Sequence, residues 1–120
     1  MEDFEKVYVE GVFVLVVNLI RSTLNKSIAF RKIAEEEINS GHTKLVIDLS
    51  KCDYIDSTFF GALIMTRELM NDIGYKLKVV KPSTKGDYIF TTTHTLSLFN
   101  IYKTREDAIK SFKEDIQPES

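Results

Sequence analysis

The sequence is poor in the residues that mark disulfide scaffolds, linkers and low-complexity chains. It contains one cysteine, two prolines, five glycines and no tryptophan among 120 residues. Because the lone Cys52 cannot form an intramolecular disulfide, a reducing compartment is favoured over a secreted one. No stretch is rich in proline, serine or glycine, so nothing divides the chain. We therefore expect a single domain over residues 1–116 with a frayed tail at 117–120.

Basic blocks, long apolar runs and a leader peptide are also missing. Sixteen Lys and Arg stand against eighteen Asp and Glu, so the phosphate-neutralising surface that nucleic-acid binding requires is not expected. The longest apolar run, Val12 to Ile20, is interrupted by Asn18 and falls well short of the ~20 residues of a membrane-spanning helix. The first six residues carry neither a basic region nor a cleavage site. The sequence predicts a cytoplasmic protein without nucleic-acid binding or membrane insertion.

Runs of β-branched and aromatic residues predict an N-terminal hairpin. Val7 to Val9 and Val12 to Val17 are separated by Glu10-Gly11, whose glycine supplies the positive φ of a tight turn. The second strand is apolar throughout, so we expect burial on both of its faces.

A first helix is predicted after the hairpin, with Asn25 or Ser27 as its N-cap and Gly41 at its end. Glu35 to Glu37 lie off its apolar face and are expected to be solvated. That face consists of Ile28, Phe30, Ile33, Ala34 and Ile38.

Two apolar strands enclose a second predicted helix. Leu45 to Leu49 and Leu77 to Val80 flank a helix from about Ser57 to Ile73, which Gly74 ends. Because strands joined through a helix are parallel, the sheet is expected to be mixed. Phe99 to Tyr102 predicts a last strand, and Thr104 caps a final helix. The stretch between the last two strands, residues 83–98, favours neither helix nor strand.

The segment from Asp48 to Gly61 joins a buried strand to a helix N-terminus, the edge at which open α/β sheets bind ligands. Asp56 or Ser57 fits an N-cap, which stabilises a helix by about 1 kcal/mol and needs no further role. A helix N-terminus also carries partial positive charge and unpaired N–H groups, so it would accommodate a phosphate on Ser57 without unfolding. On the residues alone, capping is the favoured interpretation.

Several segments resemble the STAS domain of bacterial anti-sigma factor antagonists. They are Leu45 to Ser50, Tyr54 to Thr58, Lys78 to Val80 with Pro82, Leu98 to Tyr102, and Thr104 to Phe112. The sharpest motif is Asp56-Ser57-Thr58, at which antagonists are phosphorylated on the serine after the aspartate. The resemblance implies an α/β fold with a mixed, mostly parallel sheet of about five strands, an N-terminal hairpin and helices packed largely on one side.

The resemblance also implies a partner switch. The unmodified antagonist would bind an anti-sigma factor that is also a serine kinase, phosphorylation of Ser57 would release it, and a serine phosphatase would reverse the change. Thr58 is a candidate secondary acceptor. No catalytic residue, metal or cofactor of its own is expected, and a homodimer is left open. The expected partner-binding residues are Asp56, Thr58, Phe59, Phe60 and Gly61.

Two departures from the family pattern keep a second interpretation open. Phe59 stands where antagonists usually have glycine, and Asn18 to Ser22 replaces a Gly-x-Leu-Asp loop. The alternative is a STAS scaffold or regulatory subunit of a transporter or signalling complex, without phosphorylation. For Gly61, tight packing on the sheet is slightly favoured over making room for a partner's backbone.

Other protein classes are less well supported. A phosphoreceiver would use Asp48 with Lys81-Pro82, but it needs an acidic pair for Mg²⁺ where the first strand offers only Glu10. An enzyme would need a nucleophile and a base in a recognisable motif. The histidines are expected to be solvated or locally hydrogen-bonded, and they lack zinc-site spacing. The candidates that lack such a motif are Ser57, Cys52, His42 and His94.

Overall fold

The computed structural model describes residues 2–19, 21–22, 24–82 and 99–115. The unassigned stretch 83–98 and the predicted tail at 117–120 lie outside the described residues. The elements are β1 (Phe4–Val9), β2 (Val12–Val17), β3 (Arg21–Ser22), α1 (Leu24–Asn39), β4 (Lys44–Asp48), β5 (Tyr54–Ile55), α2 (Ser57–Asp72), β6 (Lys76–Val80), β7 (Asn100–Tyr102) and α3 (Arg105–Asp115).

The N-terminal hairpin is confirmed. β1 and β2 pair antiparallel, with Val9 opposite Val12 next to the turn. Glu10 has φ 52° and Gly11 has φ 81°, so both central residues are left-handed, as a two-residue turn between twisted strands requires. The glycine adopts this conformation without steric cost, whereas Glu10 does so against the usual preference of an L-residue.

The five strands of the main sheet lie in the order β1-β2-β4-β6-β7, and every neighbouring pair after the hairpin is parallel. Because this order follows the chain without reversal, the right-handed crossovers through α1 and α2 place both helices on one face. The predicted mixed sheet, with its helices largely on one side, is therefore confirmed. A phosphoreceiver sheet reverses its strand order, so the topology excludes that class.

The core has two layers, one on each face of the sheet, and β2 contributes side chains to both. All six residues of β2 are buried, as predicted. Phe13, Leu15 and Val17 belong to the layer beneath α1 and α2, which also contains Phe30 and Leu63. The alternate residues of β2 face the other way, in a layer with Ala108, Ile109 and Phe112 of α3. The C-terminal helix thus covers the face of the sheet that α1 and α2 leave open.

Two expectations for α1 are wrong. The helix begins at Leu24, so Asn25 and Ser27 lie inside it and neither is the N-cap. Glu37 is buried at 7% exposure, because its carboxylate lies in the last turn of α1 where β1 and the following loop pack against it. The periodicity placed Glu37 outside the apolar face, but polar contacts from three other residues bury it.

The contacts of Glu37 form a small polar cluster. Its carboxylate accepts a hydrogen bond from the Tyr8 hydroxyl at 2.9 Å and pairs with Lys6 Nζ at 3.0 Å and His42 Nδ1 at 2.8 Å. Burial by itself raises the pKa of the Glu37 carboxyl, but the hydrogen bonds from Lys6 and Tyr8 outweigh it and the pKa is lowered. The cluster therefore ties the hairpin to the end of α1, and it confirms His42 as locally hydrogen-bonded.

Candidate functional site

Ser57 is the first residue of α2, and Asp56 is its N-cap. Asp56 has extended backbone angles, φ −81° and ψ 169°, and its Oδ1 accepts the Phe59 N–H at 2.8 Å. The Asp56 carbonyl accepts the Phe60 N–H at 3.0 Å. Sequence reasoning left the cap between Asp56 and Ser57, and the geometry assigns it to Asp56. The side chains of Ser57 and Thr58 are exposed.

The helix end at Ser57 can accommodate an anion. The first turn of α2 contains no acidic side chain, but the carboxylate of the N-cap Asp56 lies at this end and offsets part of the positive end of the helix dipole. A phosphate on the Ser57 hydroxyl would lie near that end and near unpaired backbone N–H groups. The site can therefore carry a large change of charge without loss of the helix.

The two phenylalanines that follow have different environments. Phe59 is fully buried, and its ring lies 5.2 Å from that of Phe30 in α1. Phe60 is partly buried and meets Phe99 edge to face at 6.0 Å between ring centroids. This corrects the expectation that Phe59 contacts a partner, because its side chain points into the core. The same orientation means that its bulk does not obstruct access to Ser57.

Gly61 has open space beside it. A Cβ built on this residue would meet no heavy atom within 4 Å, so the favoured expectation that Gly61 packs tightly on the sheet is wrong. A glycine in a helix interior costs about 1 kcal/mol relative to alanine, and no packing contact offsets that cost here. At helical spacing, Gly61 shares a face of α2 with Ser57 and with the exposed Met65. We call Ser57, Thr58, Gly61 and Met65 the α2 stripe.

The loop that leads to Ser57 is held by the loop that follows β2. β3 and β5 form a short parallel pair that places Arg21 opposite Tyr54 and Ser22 opposite Ile55. Lys51 Nζ donates to Asn18 Oδ1 at 3.0 Å. The sequence pattern did not predict this pairing, because two-residue strands carry no periodic signal. The segment that departs from the family's loop pattern thus lies directly against the segment before Ser57.

Asp48 has a structural partner that sequence reasoning missed. Its Oδ2 accepts a hydrogen bond from Nε of Arg105 at 3.0 Å and forms a salt bridge with Nη2 of the same side chain, also at 3.0 Å. Its Oδ1 accepts the Ser50 N–H at 3.0 Å. Glu10, the other carboxylate of the phosphoreceiver hypothesis, pairs with Lys113 Nζ at 3.0 Å. Neither carboxylate has the surroundings of a Mg²⁺ site.

The enzyme hypothesis gains no support from the described residues. Cys52 is buried at 1% exposure, His42 is paired with Glu37, and His94 lies outside the described residues. Over the described ranges, no three His, Cys, Asp or Glu side chains are grouped to hold a metal ion. In the same ranges, none of the helices has the length and apolarity needed to cross a bilayer.

The fold defines a class of α/β domains in which an antiparallel hairpin leads into a parallel sheet. The model of the STAS domain family matches residues 8–108, so the chain belongs to that family. A protein of Thermotoga neapolitana named as a candidate anti-sigma factor antagonist is 24% identical over 102 residues, which cover 85% of this chain and 90% of that protein.

Solved structures share the fold at low identity. An anti-sigma factor antagonist from Mycobacterium paratuberculosis has a TM-score of 0.83 at 21% identity, covering 92% of both chains. The phosphorylated form of SpoIIAA from Bacillus has a TM-score of 0.70 at 14% identity, covering 91% of this chain and 98% of that one. The murine anion transporter Slc26a9 has a TM-score of 0.71 at 16% identity, but only 18% of its chain is covered against 88% of this one.

Proposed function

We propose that this chain is an anti-sigma factor antagonist that works as a phosphorylation switch. Its unphosphorylated form binds an anti-sigma factor that is also a serine kinase, and phosphorylation of Ser57 ends the binding. The observation that carries the proposal is the exposed Ser57 hydroxyl at the first position of α2, with the capping role taken by Asp56. The names of the relatives, and the existence of SpoIIAA in a phosphorylated form, support the same assignment.

The α2 stripe supplies the contact surface. Gly61 leaves room for a partner's backbone one helical turn beyond Ser57, and Met65, at 49% exposure, extends the surface with an apolar side chain. Asp56 and the exposed part of Phe60, which lie beside the α2 stripe, complete the contact. A phosphate adds about −1.5 to −2 charges in the middle of this surface, which imposes repulsion and a desolvation cost on the complex.

The switch changes the surface and leaves the fold in place. Because Asp56 and not Ser57 caps α2, modification of the serine hydroxyl removes no cap hydrogen bond. Thr58 is a secondary acceptor in this proposal. The kinase brings ATP and Mg²⁺, and a separate serine phosphatase restores the hydroxyl. The chain itself then needs neither a catalytic residue nor a cofactor, and it acts in the cytoplasm.

Affinity capture from the source lysate tests the proposal. The baits are wild type, Ser57→Asp and Ser40→Asp, with retained proteins identified by mass spectrometry. Ser40 is exposed just beyond the end of α1, at the opposite edge of the parallel sheet, so it is a control for the added charge. We expect wild type and Ser40→Asp to retain a small serine kinase that Ser57→Asp loses. Equal retention by all three baits would contradict the switch.

Addition of ATP and Mg²⁺ to the lysate sharpens the test. Wild type should then release the kinase, because it becomes phosphorylated, whereas Ser57→Ala should keep it. If Ser57→Ala also releases the kinase, adding Thr58→Ala to it shows whether the neighbouring hydroxyl is the acceptor.

A scaffold role is the second candidate function. The likeness of this fold to a part of the anion transporter Slc26a9 favours it. It predicts partners that are held equally by wild type and Ser57→Asp, with no kinase among them.

A further inference from the structure

Asp48 lies at the end of β4, directly before the loop that leads to Ser57. We call residues 49–56 the phosphoacceptor loop. Asp48 is the last residue of β4 and is 4% exposed. The Oδ1 atom of Asp48 accepts a hydrogen bond from the N–H of Ser50, two residues later in the chain. The N–H of Leu49 donates to the Val80 carbonyl of β6 at 2.9 Å. The direction in which the loop leaves the sheet is therefore set at this carboxylate and the residue after it.

Arg105 occupies an unfavourable position for a cation. It is the first residue of α3, and Thr104 caps that helix by accepting the Asp107 N–H at 3.1 Å. A positive charge in the first turn of a helix opposes the helix dipole, so the guanidinium does not stabilise α3 through its own helix. Its compensation is the buried Asp48 carboxylate, which it contacts through two nitrogens at 3.0 Å.

We propose that Asp48 is a positioning residue for Ser57, and that Arg105 couples the position of the first turn of α3 to the geometry of the phosphoacceptor loop. The role of Ser57 rests on the proposed function, but the coupling does not depend on it. A kinase or a partner that displaced the first turn of α3 would loosen the loop that presents the serine. Conversely, a partner that holds the loop would favour the docked helix.

A second polar contact of α3 offers a matched control. Lys78 of β6 is 1% exposed, and its Nζ donates to Ser111 Oγ at 2.7 Å in the second half of α3. This contact ties α3 to the sheet without touching the phosphoacceptor loop. Ser111→Ala should therefore loosen the second half of α3 and leave its first turn, and with it the loop, held by the pair of Asp48 and Arg105.

Amide hydrogen exchange of the full, unmodified chain tests the coupling. Two hydrogen-bonded amides report on the loop and the cap: Cys52, whose N–H donates to the Leu49 carbonyl at 3.0 Å, and Phe59, whose N–H donates to Asp56 at 2.8 Å. We expect both to exchange about tenfold faster in Asp48→Asn and in Arg105→Gln, and as in wild type in Ser111→Ala. In the double variant that combines Asp48→Asn with Arg105→Gln, the two amides should exchange no faster than in the faster of the single variants, because the two residues act as a pair.

Three results would overturn the inference. The exchange rates of the Cys52 and Phe59 amides could be unchanged in both Asp48→Asn and Arg105→Gln. Ser111→Ala could raise these rates as much as those two variants do. The rates could also rise only together with those of the slowest amides of β2, which report global unfolding. Because no kinase enters the experiment, its failure leaves the proposed function standing. Failure of the kinase capture, in turn, leaves the coupling standing.

Discussion

Replacement of Gly61 by alanine is expected to stabilise the isolated domain. The added Cβ meets no heavy atom within 4 Å, and Gly61 does not have a positive φ. Alanine is preferred to glycine in a helix interior by about 1 kcal/mol, so the free energy of unfolding should rise by about that amount. For a chain of 120 residues, this corresponds to an increase in Tm of about 4 °C. Urea unfolding followed by circular dichroism measures the first quantity, and a thermal scan measures the second.

Gly74 is the matched control. A Cβ there also meets nothing within 4 Å, but the residue has φ +77° at the end of α2. Gly74→Ala should therefore lower the free energy of unfolding by about 1 kcal/mol or more, because an L-residue is strained in this conformation. A loss of stability in Gly61→Ala would refute the reasoning, since it would mean that the space beside this residue is filled.

The same variant also tests the contact surface. If a partner's backbone approaches Gly61, the new methyl group should weaken binding of the captured kinase by about tenfold even though the domain is more stable. Unchanged affinity in a stabilised Gly61→Ala protein would place the partner's close approach elsewhere.

Three further predictions concern the cap, the added charge and the buried carboxylate. Asp56→Ala should lower the free energy of unfolding by about 1 kcal/mol and Ser57→Ala by less than about 0.5 kcal/mol in urea titrations; equal losses would mean that Ser57 shares the cap. Ser57→Asp should change the free energy of unfolding by less than about 1 kcal/mol, because the helix dipole favours the added carboxylate and the Asp56 carboxylate repels it. A large loss would contradict tolerance of an anion at this helix end. Glu37→Gln should cost about 2 kcal/mol near neutral pH. Because the folded pKa of Glu37 is lowered, its stabilisation is present above the unfolded value of 4.5 and is lost as the pH falls through the folded pKa. Urea titrations should therefore show the cost of Glu37→Gln shrinking as the pH falls below the unfolded value of 4.5, and a constant cost would contradict the assigned contacts.

The sheet and its helices were predictable because their signals are local and repeated. Six consecutive apolar residues in β2 predict a strand that is buried on both faces, and Glu10-Gly11 predicts the turn before it. Apolar spacing located α2, and the strand–helix–strand order then required parallel pairing. The common face of α1 and α2 was implied only by the family resemblance, and in the structure it follows from the order of the strands. Each of these steps depends on a pattern spread over many residues, so single exceptions do not change the outcome.

The features that were missed depend on single polar residues with distant partners. Asp48 and Arg105 are 57 positions apart, and Tyr8 and Glu37 are 29 positions apart. A charged residue outside the apolar face of a helix is predicted to be solvated whether or not another element covers it, as Glu37 shows. Such contacts become predictable only once the strand order is known, because the sheet decides which ends of which elements meet.

Phe59 shows why the motif around Ser57 has to be judged by faces of the helix and not by adjacent letters. Successive residues of a helix differ by about 100° in direction, so the residue two after Ser57 points away from it. The ring of Phe59 therefore packs against Phe30 in the core. A substitution at this position changes the core beneath α2 and not the exposed face of the helix. The surface above it is carried by Ser57, Thr58 and, one turn on, Gly61. The departure from the family's glycine at Phe59 is thus compatible with the proposed partner surface, and Gly61 is the glycine whose open space that surface would use.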